Sequence, residues 1–249
     1  MSTTPIPLPS RKSTEVDQLY LRMLVYGPPG GGKTRLCASA AQVEEMCPIV
    51  LLDIDRGTMS LRKLPWEITV VPILTWDQVK KIVDWLMLSE HGFKTVVWDS
   101  LSELFKLIQQ DIMKQDLMKP GKDSRDLDSP SLDQWYRAMN RTTRVLDILK
   151  TGTFNLLCTC GSHLRVNEQT GLSFTKLALP GTLADEVPGV FDVVGYLWTE
   201  FERKTSVTRR FLQTVGSTQI VAGKDRDVIG NVLLEEPNMT KIWTEVKRL

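Results

Sequence analysis

Gly27-Pro28-Pro29-Gly30-Gly31-Gly32-Lys33-Thr34 follows an apolar run from Leu21 to Tyr26 and precedes a segment with Leu36, Ala40 and Val43 at helical spacing. Gly-x-x-x-x-Gly-Lys-Thr set between a strand and a helix is one of the more specific short motifs in proteins. Glycines let the backbone wrap around an anion so that successive amide hydrogens point inward. The helix that starts near Lys33 adds its positive end to the same spot. In such a cradle Lys33 reaches the β- and γ-phosphates of a bound ATP and the Thr34 hydroxyl ligates Mg2+, with Arg35 next in line at the nucleotide.

Working outward, Ile49 to Asp53 is an almost wholly apolar run, as expected of a strand buried on both faces of a parallel sheet. Ile68 to Ile73 reads as a further short strand, and Thr75-Trp76-Asp77-Gln78 as a capping box that opens a helix with Val79, Ile82, Val83 and Leu86 inward. Thr95 to Asp99 is the next strand, and Ser100-Leu101-Ser102-Glu103 repeats the capping pattern ahead of a helix to about Met118. A polar loop from Lys119 to Ser131, a helix from Leu132 to Lys150 and a buried strand from Asn155 to Cys160 follow. Strand alternating with helix means an α/β fold, a mainly parallel sheet flanked by helices. Beyond it, Asp192–Phe201, Thr205–Val215 and Thr218–Ala222 suggest strands of an antiparallel C-terminal extension. Residues 1–18, rich in Pro, Ser and Thr, suggest a flexible arm, leaving 19–249 as one domain.

Composition narrows the setting. Hydrophobic residues make up 42% and charged residues 24%, ordinary for a water-soluble domain. No apolar run approaches the roughly 18 residues that span a bilayer, and the amino terminus lacks the apolar middle of a signal peptide. The expected location is a cytoplasm, without membrane partners. A net charge of +1 gives no global electrostatic footprint, so any nucleic-acid surface must be local. Cys37, Cys47, Cys158 and Cys160 fall in helical or buried-strand segments and suit small apolar roles better than a zinc site.

Asp99 ends an apolar strand where a fold of this kind needs a carboxylate for Mg2+. Many ATPases place Glu directly after it, but Ser100 stands there, a departure from the AAA+ arrangement. Asp55, just past the strand ending at Asp53, is the candidate to orient the attacking water, with Glu103 its rival. His163 lies beyond the carboxyl end of the Asn155–Cys160 strand, the edge where ligands bind open α/β sheets. It reads as a γ-phosphate sensor, as a link to a second ligand, or as a solvated side chain.

These residues together resemble the RecA-like core, and more closely the phage ATPases of the Sak type that consist of that core. The likeness spans Leu21 to Gly230. It is carried by the P-loop, by Leu52-Asp53-Ile54-Asp55, by Val96-Val97-Trp98-Asp99-Ser100, and by the run Leu179-Pro180-Gly181-Thr182-Leu183-Ala184-Asp185-Glu186-Val187-Pro188-Gly189-Val190-Phe191-Asp192. The resemblance implies ATP-dependent binding of single-stranded DNA and a role in annealing or recombination, with a single-strand binding protein as a further partner. It also implies a homo-oligomeric ring or filament with nucleotide at subunit interfaces. Lys224 and Arg226 stand where such assemblies carry basic residues that reach a neighbour's γ-phosphate, although a solvated turn also accounts for them. Asp55 is one methylene shorter than the Glu usual there, which implies slow hydrolysis.

The DNA-facing loops implied by the resemblance are Lys119–Ser131 and Leu164–Lys176. In the first, Lys119, Lys122 and Arg125 are offset by Asp123, Asp126 and Asp128; the second carries Arg165, Lys176 and the possible stacking ring Phe174. Two other classes compete with a DNA-binding ATPase. A small-molecule kinase would need an Arg-rich lid, which the sequence does not display. A nucleotide-gated interaction protein needs only a partner surface, for which the arm at 1–18 is the candidate, although that arm also suits a polymerisation segment or a disordered end.

Overall fold

The computed structural model describes residues 20–118, 129–230 and 233–248. The proposed arm at 1–18 and residues 119–128 of the first DNA-facing loop lie outside the described residues.

Ten strands form one sheet system with the main order β10-β8-β7-β1-β5-β4-β2-β3. The central strands are β1 (Arg22–Gly27), β2 (Ile49–Asp53), β3 (Thr69–Pro72), β4 (Thr95–Asp99), β5 (Asn155–Val166) and β7 (Val193–Glu202). All six run parallel. Every residue of β2 and β4 is buried, because helices cover both faces. The pleat sorts their side chains. Leu24, Leu52, Val96, Trp98 and Leu156 face one layer, with Val79 and Val83 of α2 (Trp76–Leu88), Leu104 and Ile108 of α3 (Leu101–Leu117), and Leu146 of α4 (Leu132–Leu149). Met23, Val25, Leu51, Val97 and Leu157 face the other, against Leu36 and Cys37 of α1 (Lys33–Ala38) and Ile242 of a C-terminal helix, Met239–Val246. Truncating a side chain such as Leu156 to Ala costs about 2–5 kcal/mol, because the two layers leave a cavity no neighbour can fill.

The register explains where the chemistry sits. Val25 pairs with Thr159, Gly27 with Gly161 and Asp53 with Asp99, so all reach the same carboxyl end of the parallel strands. Thr75 and Gln78 form the expected capping box of α2. A second complete box, Ser131 with Gln134, starts α4, whereas at α3 Ser100 caps but the Glu103 carboxylate turns to Lys106 at 2.6 Å.

Three local expectations change. The helix after the P-loop does not run regularly to Met46: it ends at Ala38 and gives way to 3₁₀ turns at Ser39–Gln42 and Glu44–Met46. Ser39 Oγ donates back to Leu36 O at 2.6 Å and accepts from Met239 N, a side-chain competition that shortens helices. The antiparallel region begins one strand later than its sequence pattern suggests, since β7 runs parallel to β1 and antiparallel to β8 (Val207–Gln213). Thr218–Ala222 is not a strand; it makes only an isolated bridge, Thr175 to Ile220. Two further pairings complete the antiparallel part: β9 (Lys224–Asp225) with β7, and β10 (Leu233–Glu235) with β8.

Candidate functional site

The loop between β1 and α1 is pressed against β7. A methyl group on Gly27 would lie 2.0 Å from the Leu197 carbonyl oxygen, so only glycine admits this approach. Gly32 takes the left-handed conformation with φ of 95°, and its N-cap position carries no side-chain hydrogen bond. The loop closes through Gly31 N to Pro28 O at 3.3 Å. Inside it Lys33 Nζ donates to Gly27 O at 3.0 Å and Pro28 O at 2.9 Å. Burial pushes the Lys33 ammonium below the ordinary lysine range, and the charges of Asp99 and Asp55 oppose that shift. A cation held on carbonyl oxygens, partly stripped of water and next to converging amides, suits a phosphate chain.

Thr34 and Asp99 stand in contact. Thr34 Oγ1 donates to Asp99 Oδ2 at 2.8 Å, while Thr159 Oγ1 donates to the other carboxylate oxygen. Burial pushes the Asp99 carboxyl above its usual range; the two hydroxyl donors pull it back, and the nearby charges of Asp55 and Asp53 raise it further. A hydroxyl and a carboxylate in contact, amid surplus negative charge, fit a divalent cation that completes its shell with phosphate oxygens and water.

The water-orienting candidates divide. Asp53 is buried and spent on its own turn, accepting from Gly57 N at 3.3 Å and Thr58 Oγ1 at 3.1 Å. Asp55 is exposed, and its amide is pinned to Asp99 O at 3.1 Å, which fixes it beside Asp99. Glu103 is engaged by Lys106.

Gly27, Pro28, Pro29, Gly30, Gly31, Gly32, Lys33 and Thr34 thus form one cradle, with exposed Arg35 on its outer side. The structure brings Asp99 and Asp55 to it. His163 is exposed beyond the sheet on a hairpin of β5 with β6 (Ser173–Leu177), paired with Lys176. Lys224 and Arg226 do not approach this chain's own cradle. Lys224 pairs with Val194, whereas Gly27 meets β7 at Leu197, nearer its carboxyl end. Lys224 Nζ donates to Pro188 O at 3.0 Å, Gly189 O at 3.4 Å and Phe191 O at 2.6 Å. Arg226 pairs with Asp192 at 3.1 Å.

Sequence reasoning missed Thr159 and Arg210. Thr159 lies in a strand of apolar neighbours and becomes visible only once β5 is known to separate β1 from β4. Arg210 comes from a late antiparallel strand and packs against Gly32.

The family described as "AAA domain" matches residues 19–226, and the chain belongs to it. Its sheet and flanking helices have the RecA-like P-loop NTPase architecture. Among solved structures, the RadB recombinase aligns with a TM-score of 0.49 at 12% identity over 87% of each chain. The flagellar accessory protein FlaH from Methanocaldococcus jannaschii aligns at 0.43 and 12% identity over 88% of each. At such scores the fold assignment rests on this chain's own topology. No curated protein matches the sequence. Among the described residues no helix is long and apolar enough to cross a membrane.

Proposed function

We propose that this AAA-domain chain is an Mg-dependent ATPase that binds single-stranded DNA under control of its nucleotide, in the manner of the Sak-type recombination and annealing proteins it resembles. Lys33 leaves the Gly27 and Pro28 carbonyls for phosphate oxygens, and the loop amides hold the rest of the chain. Thr34 and Asp99 would hold a magnesium ion, which would supply positive charge beside the phosphate oxygens. Asp55 accepts a hydrogen bond from the attacking water and sets its direction. Its short side chain fits slow turnover. In a ring or filament of such chains, Arg226 and Lys224 act on a neighbour's phosphates; Arg226, 57% exposed, is the freer of the two.

The observation that carries the DNA reading is the β5–β6 hairpin. Its register sets His163 opposite Lys176 and Arg165 opposite Phe174, so these four side chains share one face, on which Lys176 is paired with Asp185 at 2.7 Å and Arg165 lies beside the Phe174 ring. Positive charge beside aromatic rings is the recipe for sequence-tolerant single-strand binding. The same strand contains Thr159, hydrogen-bonded to Asp99, so the metal carboxylate and the hairpin lie on one continuous element.

Fluorescence anisotropy of a labelled oligonucleotide tests this reading. ATP should tighten binding relative to no nucleotide, affinity should fall steeply with salt, and Arg165→Ala with Phe174→Ala should weaken it by about tenfold or more. Equal, salt-insensitive binding with and without ATP would refute it. A second reading, a nucleotide-gated protein partner, draws on the other hairpin face, where Leu164 and Val166 are exposed. Under that reading the chain does not bind DNA directly, and replacement of Leu164 and Val166 by Ser abolishes partner binding.

A further inference from the structure

Arg210 sits on β8, paired with Thr199 of β7. Its backbone is locked to Glu236: Arg210 N donates to Glu236 Oε1 at 2.8 Å, and Glu236 N donates to Arg210 O at 2.8 Å. Its guanidinium is far less well served. Nη1 lies 3.7 Å from Glu236 Oε2, beyond hydrogen-bond length, and Nε is buried without an acceptor among the described residues. An arginine stem that lies on the backbone of a glycine needs that glycine: a methyl group at Gly32 would come within 3.1 Å of Arg210 Nε and 3.5 Å of Cδ. Arg210 therefore rests against the cradle itself.

The space around it is a cleft of about 240 Å³ that continues from the cradle along α1. Gly32 and Arg35 line one wall, Arg210 and Glu236 another. Two guanidiniums face a single carboxylate, so the cleft carries surplus positive charge and an unused donor. Anions supply the missing acceptor, and a charge-assisted bond to a phosphate oxygen is stronger than a loose ion pair.

We infer that Arg210 is a ligand for the phosphate chain of the nucleotide, contributed from outside the P-loop and held by Glu236 until that chain arrives. The inference rests on the nucleotide-binding reading above. The backbone bonds between Arg210 and Glu236 do not involve the guanidinium, so the side chain can turn to the ligand while β8 stays tied to the segment that leads into the C-terminal helix.

Calorimetric titration of the full chain with ATP and with inorganic triphosphate tests this, alongside the melting temperature of each ligand-free protein. Arg210→Ala should weaken both ligands by the same factor, about tenfold or more, with an unchanged melting temperature. Arg210→Lys should recover part of the loss, and Glu236→Gln should bind both at least as tightly as wild type. Three results overturn the inference: ATP affinity of Arg210→Ala within about twofold of wild type, a loss for ATP that spares triphosphate, or a loss that tracks a lowered melting temperature while Glu236→Gln weakens binding equally. Lys33→Ala separates this from the parent reading. If wild type and Lys33→Ala bind ATP alike, or neither binds, the nucleotide site itself is wrong; if only Lys33→Ala loses ATP while Arg210→Ala keeps it, the cradle stands and the role of Arg210 falls.

Discussion

Lys33 and Lys224 are chemically alike and built to different ends. Each ammonium donates to backbone carbonyl oxygens, and burial lowers each below the ordinary lysine range. They even share a strand, for β7 presses Leu197 O against Gly27 near one lysine and pairs Val194 with the other. The difference is the company. Lys33 stands among Asp99 and Asp55, within an open loop of amides. Lys224 has Arg226 beside it, whose charge lowers it further, and it closes the short 3₁₀ turn Val187–Val190. A lysine on carbonyls does not by itself mark the nucleotide cradle of its own chain. Lys33 alone of the two stands in the glycine-rich loop beside the Thr34–Asp99 contact.

The largest effect expected along this strand is at Gly27. Gly27→Ala drives a methyl group into the Leu197 backbone, which cannot yield as a side chain would. Denaturant unfolding should show a loss of about 3 kcal/mol or more, together with loss of nucleotide binding. Next, Lys33→Ala should weaken ATP on the order of a hundredfold and leave the melting temperature near wild type. Lys224→Ala should do the reverse, costing about 1–2 kcal/mol of stability through three orphaned carbonyls while the single chain binds ATP as before. An ATP affinity for Lys224→Ala as poor as that of Lys33→Ala would erase the contrast.

The finest distinction is in pH. The Asp99 pKa is raised on folding, so the folded state binds this proton more tightly than the unfolded chain does. Stability is highest below the ordinary carboxylate pKa and declines as pH rises through the raised value, where Asp99 must ionise in a buried place. Asp99→Asn removes that decline. Melting scans without nucleotide from pH 4 to pH 8 (roughly the window in which a raised carboxyl titrates) should show wild type losing more than the variant. Equal slopes would mean the buried carboxylate costs nothing to ionise.

What the sequence made visible follows from how local each feature is. The cradle, Asp99 and most central strands announce themselves because a contiguous motif or an apolar run suffices. Thr159 gives no local sign, since its role depends on β5 lying between β1 and β4. Arg210 is further removed still: its contact with Gly32 needs two strand pairings and the fold-back of β10. The region after Cys160 was the least legible. Arg165 and Phe174 share a face only through a hairpin register that alternation alone did not set, and Thr218–Ala222, apolar enough for a strand, lacks a partner edge beyond one bridge.

In the proposed function one chain links the cradle to a DNA strand. ATP turnover by purified protein, with and without single-stranded DNA at low and moderate salt, tests it most directly when run beside Lys33→Ala. The account predicts turnover that DNA stimulates, less so as salt rises, and that vanishes in the variant. Nucleotide binding that survives in wild type while neither turnover nor affinity responds to DNA would contradict it.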